Sequence, residues 1–172
     1  FKGQDITNEP LHRRVHLGIG RSFQITNIFP NLTVLENVRL AAQALGKDSY
    51  KFWWHFRHFN QYAETALDAL AKVGLQDKAE IPAAILPHGD QRKLELAILL
   101  ASDAELLLLD EPTAGMAAEQ VPLLIDTIRQ VQQQLDKTIM LVEHNMHVVM
   151  NISDRITVMH QGDVLAEGTP QE

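Results

Sequence analysis

The 172 residues carry 15 Lys+Arg against 22 Asp+Glu, a formal net charge of −7, with 45% hydrophobic side chains and no cysteine. That balance argues against a nucleic-acid partner held by phosphate neutralisation, and without cysteine there is no disulfide framework, which fits a reducing compartment and makes the cytoplasm the default location. The length suits one sizeable core, no apolar run approaches the roughly 20 residues that cross a bilayer, and Phe1-Lys2-Gly3-Gln4-Asp5 lacks the basic head and apolar body of a signal peptide.

The chain opens on what reads as the end of a strand or hairpin. Residues 17–24 begin with Gly18 and Gly20 and run into a short strand that presents Gln24 at its end; these glycines lack the third glycine and the preceding strand of a dinucleotide fingerprint. Residues 31–38 read as a helix start, with Thr33 as N-cap and Glu36 closing a capping box. Seven of the ten aromatics fall between Tyr50 and Tyr62, interleaved with Lys51, His55, Arg57 and His58. Such a cluster is either the core of a small helical subdomain or a docking face for another protein at the membrane. His55 and His58 share a helical spacing but lack a third ligand, so no metal is assigned to them.

Apolar residues at helical spacing over 64–73 end at Gly74, a C-cap. Pro82 and Pro87 bracket a loop, and residues 91–101 form an amphipathic helix. Leu106 to Leu109 show no alternation, which predicts an interior strand of a parallel sheet covered on both faces and ending in Asp110-Glu111-Pro112-Thr113. Beyond it the pattern predicts a helix over 119–135 with Pro122 near its first turn, a second buried strand over 138–142, a short helix over 146–152 and a hairpin over 155–166 turning at Gln161-Gly162. The chain stops at Thr169-Pro170-Gln171-Glu172, where a capped helix could begin, so it reads as a fragment. Strands alternating with helices mean an α/β fold with a parallel sheet, interrupted by an all-α insert.

In such sheets catalytic side chains gather at the carboxyl ends of strands, and two adjacent carboxylates delivered there are how nucleotide hydrolases hold magnesium and water. A bare acidic pair can also be an ordinary solvated turn. The sequence holds no G-x-x-x-x-G-K-[ST] phosphate loop; Gly46-Lys47 is followed by Asp48 and does not make one.

Taken in order, the strand ending in Gln24, the segment Leu86-Pro87-His88-Gly89-Asp90-Gln91, the run from Leu106 to Pro112, Thr113-Ala114-Gly115-Met116 and Val142-Glu143-His144 resemble the ATP-binding subunit of an ABC transporter. Within that superfamily, Arg21-Ser22-Phe23-Gln24, Leu32-Thr33-Val34-Leu35-Glu36-Asn37-Val38 and Val142-Glu143-His144-Asn145-Met146 are similar to the branched-chain amino acid importer group. The resemblance implies a P-loop NTPase-like sheet with an inserted helical subdomain, in which residues 1–29 and 101–172 belong to the α/β core and about 30–100 to the insert with its signature loop. It implies ATP and Mg2+ as ligands: Gln24 is the Q-loop glutamine that meets metal and water, Asp110 holds the metal, Glu111 polarises the attacking water and His144 bonds the γ-phosphate. In the signature loop Pro87 stands where a serine is usual and His88 where a glycine is usual, leaving Gly89 and the following helix N-terminus as anion binders, with Asp90 also among the cofactor-binding positions that the resemblance implies. Gly115 falls in the D-loop, at an interface with a second ABC ATPase subunit.

The resemblance also implies a membrane permease as partner, met through the helical subdomain, and a peripheral position on the cytoplasmic face of the membrane. The phosphate loop of this superfamily lies upstream of the Q-loop, so it is expected before Phe1, and the 172 residues alone are expected to bind ATP poorly. The competing readings are a non-transport ABC ATPase that clamps a polymer, which the acidity disfavours, and a catalytically inert interaction fragment.

Overall fold

The computed structural model describes residues 1–22, 28–46 and 57–172, without the side chains of 57–60. In chain order these form α1 (Leu11–His16), β1 (Ile19–Arg21), α2 (Val34–Ala44), α3 (Arg57–Lys72), two 3-10 turns (Gln76–Lys78 and Ala83–Ile85), α4 (His88–Ala101), β2 (Leu106–Asp110), α5 (Val121–Leu135), β3 (Thr138–Val142), α6 (Met146–Ile152), β4 (Ile156–His160) and β5 (Asp163–Gly168). Among the described residues β1, β2 and β3 make a parallel sheet in that order, and β4 and β5 an antiparallel hairpin.

Local chemistry sets the helix entries. Thr33 Oγ1 accepts from the Glu36 N–H at 3.1 Å, capping α2. The reciprocal half of the expected capping box is not made, because Glu36 grips Arg39, one turn on, with an Nη2–Oε2 separation of 2.6 Å. The buried Asn37 donates to the carbonyls of Phe29 and Thr33 and accepts from the Phe29 N–H at 2.7 Å, fastening the approach to the helix. The α2, α3 and α4 helices pack on one another through Val34, Val38, Ala66, Leu70 and Leu94, all 0% exposed. This core continues through Leu107 and Leu109 of β2 to Leu124, Ile128 and Val131 of α5. Each fully buried leucine contributes about 1.5–3 kcal/mol of transfer free energy, so the helices and the sheet hold each other in place.

Several expectations need correction. The opening residues are turns rather than a strand end, with Asp5 Oδ1 accepting from the Thr7 N–H, and they lead into α1, a short basic helix with no buried residue. The α4 helix starts at His88 rather than 91, and it is not one-sided: Leu94, Ala97 and the ion-paired Arg92 and Glu95 are buried around it, because α2 and α3 cover one side and α5 another. Leu107 and Leu109 are buried but Leu106 and Leu108, on the opposite face of β2, are half-buried. The β3 strand is not buried: Met140 is 59% and Val142 52% exposed, since among the described residues it pairs only with β2 and forms an edge. At the chain end, Glu172 Oε2 accepts from the Thr169 N–H at 2.8 Å, the geometry of a capped turn.

Candidate active site

Because the sheet is parallel, its strands deliver their carboxyl ends to one edge, with Asp110 level with Val142 and Arg21 level with Leu108. The end of β1 holds the end of β2. The Ser22 N–H donates to the Leu108 carbonyl at 2.9 Å, Ser22 Oγ accepts from the Asp110 N–H at 3.2 Å, and Arg21 Nη2 lies 3.2 Å from Asp110 Oδ2. Gln24, three residues past β1, lies outside the described residues.

At Glu111 the backbone leaves the strand in a left-handed conformation, φ 45°. A non-glycine residue pays about 1–2 kcal/mol there, and such residues concentrate where a side chain must be aimed. The turn is fixed by the Glu111 N–H donating to the Val142 carbonyl at 2.9 Å and the Glu111 carbonyl accepting from the Ala114 N–H at 3.0 Å. It points the carboxylate at the loop after β3, where Glu111 Oε1 and His144 Nδ1 are 3.3 Å apart. With His144 77% and Glu111 27% exposed, the pair is open to a ligand arriving from solvent.

Glu143 binds the two loops to each other. Its Oε1 accepts from the N–H and hydroxyl of Thr113 on the Glu111 turn, and its Oε2 from the N–H groups of His144 and Asn145. Asn145 in turn caps α6, its Oδ1 accepting from the His147 and Val148 N–H groups.

The remaining expected site residues form a second group. Pro87 is the N-cap of α4 and supplies no side-chain cap, and Asp90 in the first turn is ion-paired with Lys78. Gly89 is buried against Gln120 and Met116: a Cβ there would lie 3.1 Å from Gln120 Oε1 and 3.4 Å from Met116 Cε. Gly115, at φ 75°, faces the His88 ring, with a notional Cβ 3.7 Å from its Nε2. The structure therefore brings Asp110, Glu111 and His144 together, and separately His88, Gly89 and Gly115, with the turn from Glu111 to Met116 leading from one group to the other.

Sequence reasoning named no role for Arg21, Ser22, Thr113, Glu143 or Gln120. Glu143 carries a usable signal, an acidic residue just past a strand, as Glu111 is; the other four carry none. The donor set suits a small hard cation. Magnesium is held by one or two carboxylates while keeping most of its waters, and Asp110 would supply one of them in place of its contact with Arg21. A cavity of about 360 Å³, lined by Lys2, His16, Leu45 and Glu105, lies at the other end of β2 and takes no part in this arrangement.

Residues 1–114 match the family model described as ABC transporter. The chain is 35% identical over 177 aligned residues to the high-affinity branched-chain amino acid transport ATP-binding protein LivG of Escherichia coli K12, covering 100% of this chain and 69% of that protein. It is 33% identical to the corresponding protein BraF of Pseudomonas aeruginosa, covering 99% of this chain and 69% of BraF. Among solved structures, the ATP-binding cassette MJ1267 superposes with a TM-score of 0.81 at 27% identity, over 98% of this chain and 68% of that one. The post-hydrolysis dimer of the cassette MJ0796, bound to ADP and Pi, gives 0.71 at 25% identity, over 88% and 62%. The chain thus spans about two thirds of the length of these relatives.

Proposed function

This chain belongs to the ABC transporter ATP-binding family, with its α/β cassette fold, and from that premise we propose that it is part of the ATP-hydrolysing subunit of an importer for branched-chain or related amino acids. The observation that carries the reading is the convergence of Asp110, Glu111 and His144, from two parallel strands, on one sheet edge, with Glu111 and His144 3.3 Å apart. The solute is suggested by the names of the LivG and BraF relatives. The phosphate-cradling loop is assigned to sequence outside these residues.

In this reading Asp110 and Gln24 hold the metal, which when bound neutralises charge on the phosphates. Glu111 would accept a hydrogen bond from the attacking water and align it, and His144 would donate to a γ-phosphate oxygen. These are positioning roles, as phosphoryl transfer requires. His88, Gly89 and the N-terminus of α4, beside Gly115, face the nucleotide of a second ATPase subunit. The helices within about 30–100 meet a membrane permease. Among the described residues no helix is long and apolar enough to cross a membrane, so attachment through the permease, on the cytoplasmic face, is part of the proposal. A second reading, an inert subunit, draws support from one observation: Pro87 brings no hydroxyl to the start of α4.

The test is MgATP turnover by the full-length protein beside Glu111→Gln, with nucleotide binding measured in parallel. Turnover that falls about a hundredfold or more in the variant, a general-base-sized loss, with binding retained, supports the ATPase reading. Binding without turnover in the wild type supports the inert reading, and no nucleotide binding refutes the ATPase reading. Loss of cellular leucine, isoleucine and valine uptake on deletion tests the solute.

A further inference from the structure

The function proposed above uses Asp110, Glu111 and His144 and leaves Glu143 without a task, although its carboxylate accepts four hydrogen bonds beside them. Its Oε1 accepts from the Thr113 N–H at 3.1 Å and the Thr113 hydroxyl at 2.5 Å, and its Oε2 from the N–H groups of His144 at 3.2 Å and Asn145 at 3.3 Å. An ionised carboxylate has about four lone-pair sites and no donor. Here each oxygen takes two donors, one oxygen serving each loop.

We propose that Glu143 is a positioning residue for the hydrolytic step, a clasp that fixes the turn carrying Glu111 relative to the turn carrying His144. The inference rests on the ATPase reading and names a further residue for the same site. The geometry explains why a clasp is needed. The His144 side chain is 77% exposed, so packing does little to orient its ring, and the direction it takes follows its backbone. That backbone is held by Glu143. On the other side, Thr113 is 8% exposed and lies two residues past Glu111, whose left-handed turn would otherwise be tied to β3 by the bond to Val142. A hydrogen bond from His144 Nδ1 to Glu111 Oε1 at 3.3 Å is long, and it keeps its registration only if both turns are held from outside it.

The chemistry also says which substitutions break the clasp. Glutamine keeps the length but must turn its NH2 to one loop: towards Thr113 it opposes an N–H while the hydroxyl can rotate to accept, and towards His144 and Asn145 it opposes two N–H donors, so at least one attraction becomes a repulsion. Aspartate keeps the charge but is one methylene too short to serve both loops. Thr113→Val removes one of the four bonds and leaves the rest.

The experiment takes the full-length protein as wild type, E143Q, E143D and T113V. It measures kcat and KM for MgATP, equilibrium binding of a fluorescent ATP analogue, and amide hydrogen exchange in the nucleotide-free state. The expected result for E143Q and E143D is a kcat lower by about ten- to a hundredfold, the scale set by misplacing a positioned group by an ångström, with analogue affinity within about threefold of wild type. The amides of Thr113, His144 and Asn145 exchange faster in both while those of β2 and β3 keep their protection, and T113V loses less than either. If the wild type turns over ATP and E143Q keeps kcat within about twofold, the clasp is refuted and the ATPase reading stands. If kcat falls together with nucleotide affinity and with protection across the sheet, Glu143 is merely structural and the proposal is likewise refuted. If the wild type itself hydrolyses no ATP, the ATPase reading falls, and the role given to Glu143 falls with it.

Discussion

Replacing Glu111 by glycine separates what this residue does for the fold from what it does for chemistry. At φ 45° the glutamate carries a left-handed strain of about 1–2 kcal/mol, which glycine relieves. Glycine adds unfolded-chain entropy worth about 0.5–1 kcal/mol, so the backbone terms nearly cancel. The contact with His144 is a pair in which the histidine is 77% exposed, and such pairs contribute about 0–1 kcal/mol. The net change is within about 1 kcal/mol of zero, or roughly 2–4 °C in Tm for a chain of this size. Activity behaves differently: in the proposed mechanism the carboxylate is the group that orients water, and its loss lowers kcat by about 100- to 10,000-fold. Thermal unfolding of Glu111→Gly beside steady-state MgATP turnover of the full-length protein tests both halves. A destabilisation above about 2 kcal/mol would show that the carboxylate supports the fold, and turnover within tenfold of wild type would refute its placement at the reaction centre.

Gly20→Ala should be costly, since its Cβ would lie 2.9 Å from that of Ala104 and 3.1 Å from Leu99 Cδ2; the expected loss is about 1–3 kcal/mol by urea denaturation, and an unchanged midpoint would mean that β1 can move away from α4. Thr33→Ala removes the cap acceptor for the Glu36 N–H and should cost about 1 kcal/mol in the same assay. The Lys2 ammonium, 2.5 Å from Glu105, holds that carboxyl below its ordinary range. A depressed folded-state pKa gives a stabilisation present above the ordinary glutamate value of about 4.3 and lost as pH falls through the folded value. A carboxyl NMR titration should therefore show Glu105 with a low midpoint that rises in Lys2→Ala, and no change in the variant would remove the pairing as its cause.

How far the molecule was legible depended on how local the governing physics was. The strands at Leu106–Asp110 and Thr138–Val142, the α6 span and the hairpin turning at Gln161-Gly162 follow from apolar runs, caps and turn residues a few positions apart, and they stand where the pattern put them. The α1 helix was not legible, because six residues with no buried side chain leave no periodic signal. The α4 helix was read as one-sided because the sequence does not tell how many neighbours a helix has.

By itself the sequence determined the order of elements from α4 onward, the parallel α/β class and the chemical types at the strand ends, because backbone periodicity and capping are encoded within a few residues. Its resemblance to a family suggested roles for Asp110, Glu111 and His144. Only the tertiary structure decided that β3 pairs with β2 residue for residue, that Arg21 meets Asp110 across 89 residues of chain, and that Glu143 joins two loops 30 residues apart. Those facts depend on strand register and on which element packs beside which. A hydrogen bond between distant residues forms only once the sheet has set both ends, and no local pattern in the chain records that it will.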